Sequence, residues 1–284
     1  MRKLAISAVL ALAALGLAAP AGAVTYASYP RGHALSCHVG YRGLVRHHWV
    51  TVGGRRILRG YVDCIWHPVV SSLSAPVATP GLASTNWSGY VLTGEYQAVS
   101  GEWTVPTLNC AVVPGGVTVD WVGVNGWDGS ANLFQTGSES ACVNGVQAND
   151  AWWTDAALGY VAQDQLAVNA GDVISAEVQQ SSSGTWTATV TDVTSGQSAT
   201  ASDSAAYVGS SAEWVTEDPT VPGTSDLTPL ADFGIVMFTN LQVAPTSALT
   251  YADAIEMQTS GGTVEAMPSQ SQGASFSVAY EPTS

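Results

Sequence analysis

From Pro68 to Ser284 the chain contains no lysine, arginine or histidine, although 21 of its 22 acidic residues lie there. That absence excludes much. Ser-His-Asp and Cys-His machinery needs an imidazole base. Ser-Lys dyads, Schiff bases and phosphate-cradling lysines need an amine. Nucleic-acid binding needs cations against phosphate, so no nucleic-acid partner is expected. Carboxyls, amides, hydroxyls and two cysteines remain for chemistry, and carboxyl acid–base catalysis is what they support best. Such acidity also suits work in acid, where protonated carboxyls are neutral and basic groups would all be charged. An unperturbed Glu titrates near ~4.3, which places a Glu base at a working pH of roughly 3 to 5.

Long apolar runs are nearly as scarce. One, Leu4 to Leu17, follows Met1-Arg2-Lys3 and leads into Ala21-Gly22-Ala23. This is the pattern of a secretory signal cleaved after Ala23. No later stretch reaches the ~18 apolar residues of a membrane helix. A secreted, extracellular protein with no membrane partner is therefore expected.

Residues 24 to 67 hold Arg31, Arg42, Arg46, Arg55, Arg56 and Arg59, all five histidines, and one acid, Asp63. Ser, Pro, Ala and Gly then dominate Val69 to Leu82, which reads as an exposed linker. The division predicts a signal over 1–23, a basic pro-region over 24–75 and an acidic domain over 76–284. At neutral pH the basic segment is expected to bind the acidic body as an intramolecular inhibitor. Acid would release it by protonating carboxylates while arginines stay charged.

Cysteines number only four. In an exported chain they suggest disulfides. Cys37 with Cys64 and Cys110 with Cys142 is the economical pairing, although three pairings are open. With no histidine after His67 a zinc site would be incomplete, and neither metal nor other cofactor is expected.

From Ser84 onward Thr, Val, Trp, Tyr, Gly and Ser prevail. Strand patterns recur at Trp103–Val105, Val117–Val124, Val161–Val168, Val173–Gln179, Thr185–Val193, Phe233–Thr239 and Ser275–Tyr280. No amphipathic helix of useful length and no repeat interrupts them. One β-sandwich or barrel is the expected body, as a monomer. Within it Ser211 to Asp218 alternates, with Ala212, Trp214 and Thr216 on one side and Glu213, Val215 and Glu217 on the other. Two further stretches combine aromatics with polar groups. One runs from Asp120 through Trp121 and Gly126 to Leu133-Phe134-Gln135-Thr136-Gly137; the other is Asn149 to Asp155, with Trp152-Trp153 between carboxyls.

In order along the chain, Asn86-Trp87-Ser88-Gly89, Val105-Pro106, Trp121-Val122-Gly123 with Gly126, Gln135-Thr136-Gly137, Asp150-Ala151-Trp152 and Ala212-Glu213-Trp214 ending at Glu217-Asp218 resemble the glutamic peptidases. These are the eqolisins, family G1, acid-active secreted endopeptidases. The resemblance implies an all-β, antiparallel sandwich of two large sheets, concanavalin A-like, with a groove for protein or peptide substrates. Carried over residue by residue, Gln135 and Glu217 would be the catalytic pair. Trp121 and Trp152 would line the site, and Asn125, Glu139, Asp150 and Glu213 would serve substrate binding. Glu213 is the second candidate base. Asn125, Glu139 and Thr154 stand where the family more often has Asp, Asp and Glu. In these roles Glu217 takes a proton from the attacking water and returns it to the leaving amine. Gln135 gives an N–H to the oxyanion, a donor that acid does not titrate.

Two other readings fit parts of the sequence. A carbohydrate-binding module could use the Trp and Tyr residues as sugar platforms. A glycosidase could pair Glu213 or Glu217 with Asp150. Asn86-Trp87-Ser88 also matches a glycosylation sequon, here read as part of the family pattern.

Overall fold

Short β-branched and aromatic runs, ended by glycine turns, leave little room for helix. The computed structural model describes the backbone of 41–52 and 55–66, and residues 79–127, 132–155, 159, 161–203 and 208–282. The chain divides into two compact units, Met1–Pro76 and Val77–Ser284. In the first, β1 (Tyr41–Val52) and β2 (Arg55–Trp66) pair antiparallel, in register from Tyr41 with Trp66 to Val52 with Arg55. The expected linker over Val69 to Leu82 and the expected Cys37–Cys64 bridge fall wholly or partly outside the described residues.

Among the described residues the regular elements of the second unit are strands and one 3-10 turn at Tyr251–Asp253. Its strands are β3 (Leu82–Ser84), β4 (Trp87–Tyr96), β5 (Ala98–Thr104), β6 (Val117–Val124), β7 (Phe134–Val143), β8 (Val146–Thr154) and β9 (Gln163–Ala167). There follow β10 (Val173–Gln180), β11 (Trp186–Asp192), β12 (Gln197–Asp203), β13 (Gly209–Glu217), β14 (Ile235–Ala244), β15 (Ala254–Gln258), β16 (Val264–Pro268) and β17 (Phe276–Tyr280). The seven runs read from period-two patterns all contain strand, with ends moved by a few residues.

These strands make one 15-stranded sheet, in the order β12-β11-β10-β5-β14-β17-β16-β15-β4-β13-β6-β7-β8-β9. Every pairing is antiparallel except that of β3, which runs parallel to β15. The sheet curls until β10 and β11 lie across β6, β7 and β8, and the two end strands, β12 and β9, approach each other. An all-β antiparallel body is therefore present, but as one sheet nearly closed on itself. The reason is β14. Ile235–Phe238 pair with β17, whereas Thr239 to Ala244 pair with β5 across a register break. Asn240 sits in that break with a φ of 53°, a left-handed value that asparagine tolerates better than most residues. One strand thus serves both halves.

The main core lies inside the curl, around Trp103, Phe134, Trp186, Trp214 and Phe238. A smaller apolar cluster covers the other face of β4, β13, β6, β7 and β8, with Trp87, Val119, Trp121, Leu133, Trp152 and Val215. Strand β13 is thus buried on both faces, not half-buried as its alternation suggests. A disulfide joins Cys110 to Cys142, 32 residues apart, across the segment holding β6 and most of β7. Closing a loop of that length restricts the unfolded chain and contributes roughly 3–4 kcal/mol.

Candidate active site

The second apolar face carries the polar residues of interest, and strand register sets their order. Three cross-strand rows run over β4, β13, β6, β7 and β8. The first is Val91, Glu213, Gly123, Gln135 and Thr154. The second is Gly89, Val215, Trp121, Gly137 and Trp152. The third is Trp87, Glu217, Val119, Glu139 and Asp150. Seven of the eight site residues expected from sequence share this face.

Asn125 is the exception. It lies just beyond β6 with a φ of 69°. Its amide oxygen accepts the backbone N–H and hydroxyl of Ser210, and its NH2 donates to the Asn132 carbonyl. These bonds spend the side chain on tying the β6–β7 loop to β13. Thr154 likewise directs its hydroxyl to the Val161 carbonyl.

Gln135 and Glu217 sit two strands apart and four residues out of step, yet both line one cleft of about 360 Å³. Ser84, Asn86, Trp87, Trp127, Leu133 and Thr220 complete much of its wall. Trp121 spans the offset between the pair. Its indole N–H donates to Glu217 Oε2 at 2.8 Å. Its far edge leans over Gly123, where an added Cβ would stand 2.9 Å from the ring and 3.1 Å from Gln135 Cβ. Only glycine leaves that space, since real Cβ contacts almost never come so close. Trp87 packs edge-on against Trp121, with ring centroids 4.9 Å apart.

Gln135 is 6% exposed, and its Oε1 has no hydrogen-bond partner among the described residues. A buried amide end without a partner costs free energy unless a ligand or water supplies one. Glu217 is better held. Asn86 Nδ2 donates to its Oε1 at 3.1 Å, beside the Trp121 bond to Oε2. Burial nevertheless pushes its carboxyl up to about 7, partly opposed by hydrogen bonds from Trp121, Trp87 and Asn86. The unperturbed value that set the expected pH of 3 to 5 therefore does not apply. With its value near 7 Glu217 keeps its proton throughout that range.

Glu139 and Asp150 face each other directly across β7 and β8. Burial raises Glu139 to about 7 and Asp150 to about 6, with repulsion from neighbouring carboxylates adding to both. Asn86, Ser84 and Trp87 were not assigned site roles from sequence. The Asn86-Trp87-Ser88-Gly89 pattern marked the place, but Asn86 meets Glu217 only across 131 residues of chain.

The profile of the peptidase A4 family matches residues 85–280 of this chain. The chain belongs to that family, the glutamic peptidases. All the family-like stretches named above fall inside the matched span. Aspergillopepsin-2 of Aspergillus niger is 31% identical over 185 residues, covering 56% of this chain and 64% of that protein. The chain thus spans somewhat under two thirds of that family member. Two solved structures share the fold, each covering 70% of this chain and 99% of its own. They are scytalido-glutamic peptidase with a transition-state analogue inhibitor, 24% identical with a TM-score of 0.59, and the eqolisin SCP-B with the tripeptide Ala-Ile-His, 23% identical with a TM-score of 0.58.

Proposed function

We propose that this protein is a secreted endopeptidase that cleaves protein or peptide substrates in acid, with Glu217 as acid–base and Gln135 as carbonyl-oxygen donor. The observation that carries the reading is the shared cleft, which Gln135 and Glu217 both line and in which Trp121 and Asn86 hold Glu217. Family membership and the absence of Lys, Arg and His between Pro68 and Ser284 support it. A sandwich of two layers, concanavalin A-like, remains the finer description of the fold, with β14 as the strand common to both.

The raised value of Glu217 orders the steps. Below about pH 6 it enters as a carboxylic acid. One oxygen gives its proton to the scissile carbonyl oxygen while the other takes a proton from the attacking water, forming a gem-diol. Gln135 N–H holds that carbonyl oxygen throughout. Glu217 then protonates the leaving nitrogen as it recovers a proton from the gem-diol, which collapses to acid and amine. A second order starts from the carboxylate, as inferred from sequence, and the N–H donors on both carboxyl oxygens favour it. The pH dependence of kcat/KM on a casein-derived peptide separates them. The acid-first order gives a plateau in acid that falls as pH rises toward 7. Activity that instead climbs from pH 3 toward 7 selects the carboxylate order, and no hydrolysis at any pH removes the assignment.

The glycosidase alternative finds less support. Glu217 and Asp150 stand three strands apart, about 14 Å between backbones, with Val119 and Glu139 between them. Residues 24–75 are proposed to follow the signal as an inhibitory pro-region, on the evidence of the charge division alone. Separately prepared, that segment should inhibit the mature enzyme at pH 7 and lose its hold by pH 3. Equal inhibition at both, or none, would exclude this role.

A further inference from the structure

Glu217 is also held from outside its own row. Its Oε1 takes the Asn86 Nδ2 bond from the turn that joins β3 to β4. The sense of that amide is set by Ser84. The Ser84 hydroxyl accepts the N–H groups of Asn86 and Trp87 at 3.3 and 3.2 Å. With its acceptor capacity so used, its own O–H is directed to Asn86 Oδ1 at 3.2 Å. Oδ1 being occupied, the NH2 end of Asn86 faces Glu217. The strap that carries both side chains is anchored independently of them. Strand β3 pairs with β15, Gly81 N–H donates to the Tyr251 carbonyl, and Asp218 N–H donates to the Asn86 carbonyl at 2.9 Å.

We propose that Asn86, aimed by Ser84, is a positioning residue for Glu217, fixing how its carboxyl faces the cleft and how firmly it holds its proton. The inference rests on the reading of Glu217 as the acid–base. Donors at a carboxyl oxygen favour the ionised form, and Asn86 acts in that direction beside Trp121 and Trp87. The titratable group that acts on Glu217 is an acid, Asp218, next in the chain, and the others on the same face, Glu213 on its own strand, Glu139 on β7 and Asp150 on β8, are acids too and lie further off. From β3, β4 and β6 its neighbours are Ser84, Trp87, Val119 and Trp121, none of them charged. No cation in this unit can replace the Asn86 donor. The first strand of the unit is therefore a working part of the site, and any maturation cut compatible with activity must fall before Leu82.

The test compares Asn86→Ala, Ser84→Ala and Ser84→Thr in the full chain with Glu217→Ala, by steady-state kinetics from pH 3 to 7 and by thermal melting. Asn86→Ala should lower kcat/KM by roughly 10–100-fold, mainly in kcat. It should also move the limb of the profile governed by Glu217 to higher pH, whichever side that limb forms. Ser84→Ala should do the same more weakly, and Ser84→Thr, which keeps the hydroxyl, should restore the parent profile. A folded Asn86→Ala with an unmoved limb overturns the proposal, whether or not the rate falls. If Asn86→Ala does not fold, the Ser84 pair decides, and a parent-like profile for Ser84→Ala overturns it. Turnover retained by Glu217→Ala would instead defeat the catalytic reading itself, whereas an inactive Glu217→Ala beside a parent-like Asn86→Ala defeats only this inference.

Discussion

Glu217→Gln should fold like the parent protein and lose nearly all peptide hydrolysis. The change keeps the length and an acceptor for the Trp121 N–H, but removes the only proton that can be exchanged at that corner of the cleft. Positioned acid–base groups are worth about 10²–10⁴ in rate. Gln135→Ala should cost about 10²–10³, the usual effect of losing one donor to a developing oxyanion. The change removes a buried amide oxygen that has no protein partner and lines a cleft, so it should leave the fold intact. Glu213→Gln is the control. Glu213 shares the face but does not line the cleft that holds Gln135 and Glu217, so a measurable share of activity should remain. Steady-state kinetics on a peptide at acid pH, with circular dichroism for folding, checks all three. Near-normal turnover by Glu217→Gln or Glu217→Ala would end the assignment.

The second large effect concerns stability against pH. Burial raises Asp120, Glu139, Glu217 and Asp218 to about 7 and Asp150 to about 6, from ordinary values of 3.8 or 4.5. A carboxyl raised in the folded state binds its proton more tightly there than in the unfolded chain. Its contribution is therefore complete below about pH 4 and is lost as pH rises through 6 to 7. Asp120 shows the size of the effect. It is 1% exposed, its Oδ1 accepts the Thr216 hydroxyl at 2.6 Å, and its own unit contains no Lys, Arg or His. Ionising it in place costs on the order of 4 kcal/mol, a large part of a typical domain's stability. Asp192 runs the other way, held below its usual value by hydrogen bonds from Ser195 and Thr194, and gives up stability in strong acid. Melting temperatures of the inactive Glu217→Ala protein should be highest near pH 4, fall progressively from there to about pH 7, and level off above it. Asp120→Asn should flatten that fall. A melting temperature level or rising across the interval would show that these carboxyls are not buried as described.

Period-two alternation was enough to place Glu213, Val215 and Glu217 on one face, because a strand allows no other arrangement. It could not give the rows. Which residue of β6 stands beside Glu217 depends on sheet order, and sheet order is set by pairings between distant segments. The family-like motifs supplied Gln135 and Glu217 as a pair; Trp121 as the bridge between them needed the four-residue offset and the space above Gly123. Asn86 escaped because a side-chain amide carries no sign of its partner. The raised value of Glu217 was not legible for the same kind of reason: burial depends on β13 being covered on both faces, which a local pattern cannot show. Likewise the single sheet turns on one register break in β14, a feature without a distinct signature in composition.

That break has a mechanical consequence. Since β14 gives its first half to β17 and its second half to β5, no surface passes between the two packed halves without cutting a continuous backbone and its ladder. The halves cannot part like the leaves of a book, and neither can melt while the other keeps its edges paired. Local opening is expected first at the edge strands β3, β9 and β12 and in the loops, while the strands that hold Gln135 and Glu217 are paired on both sides and have the core on their other face.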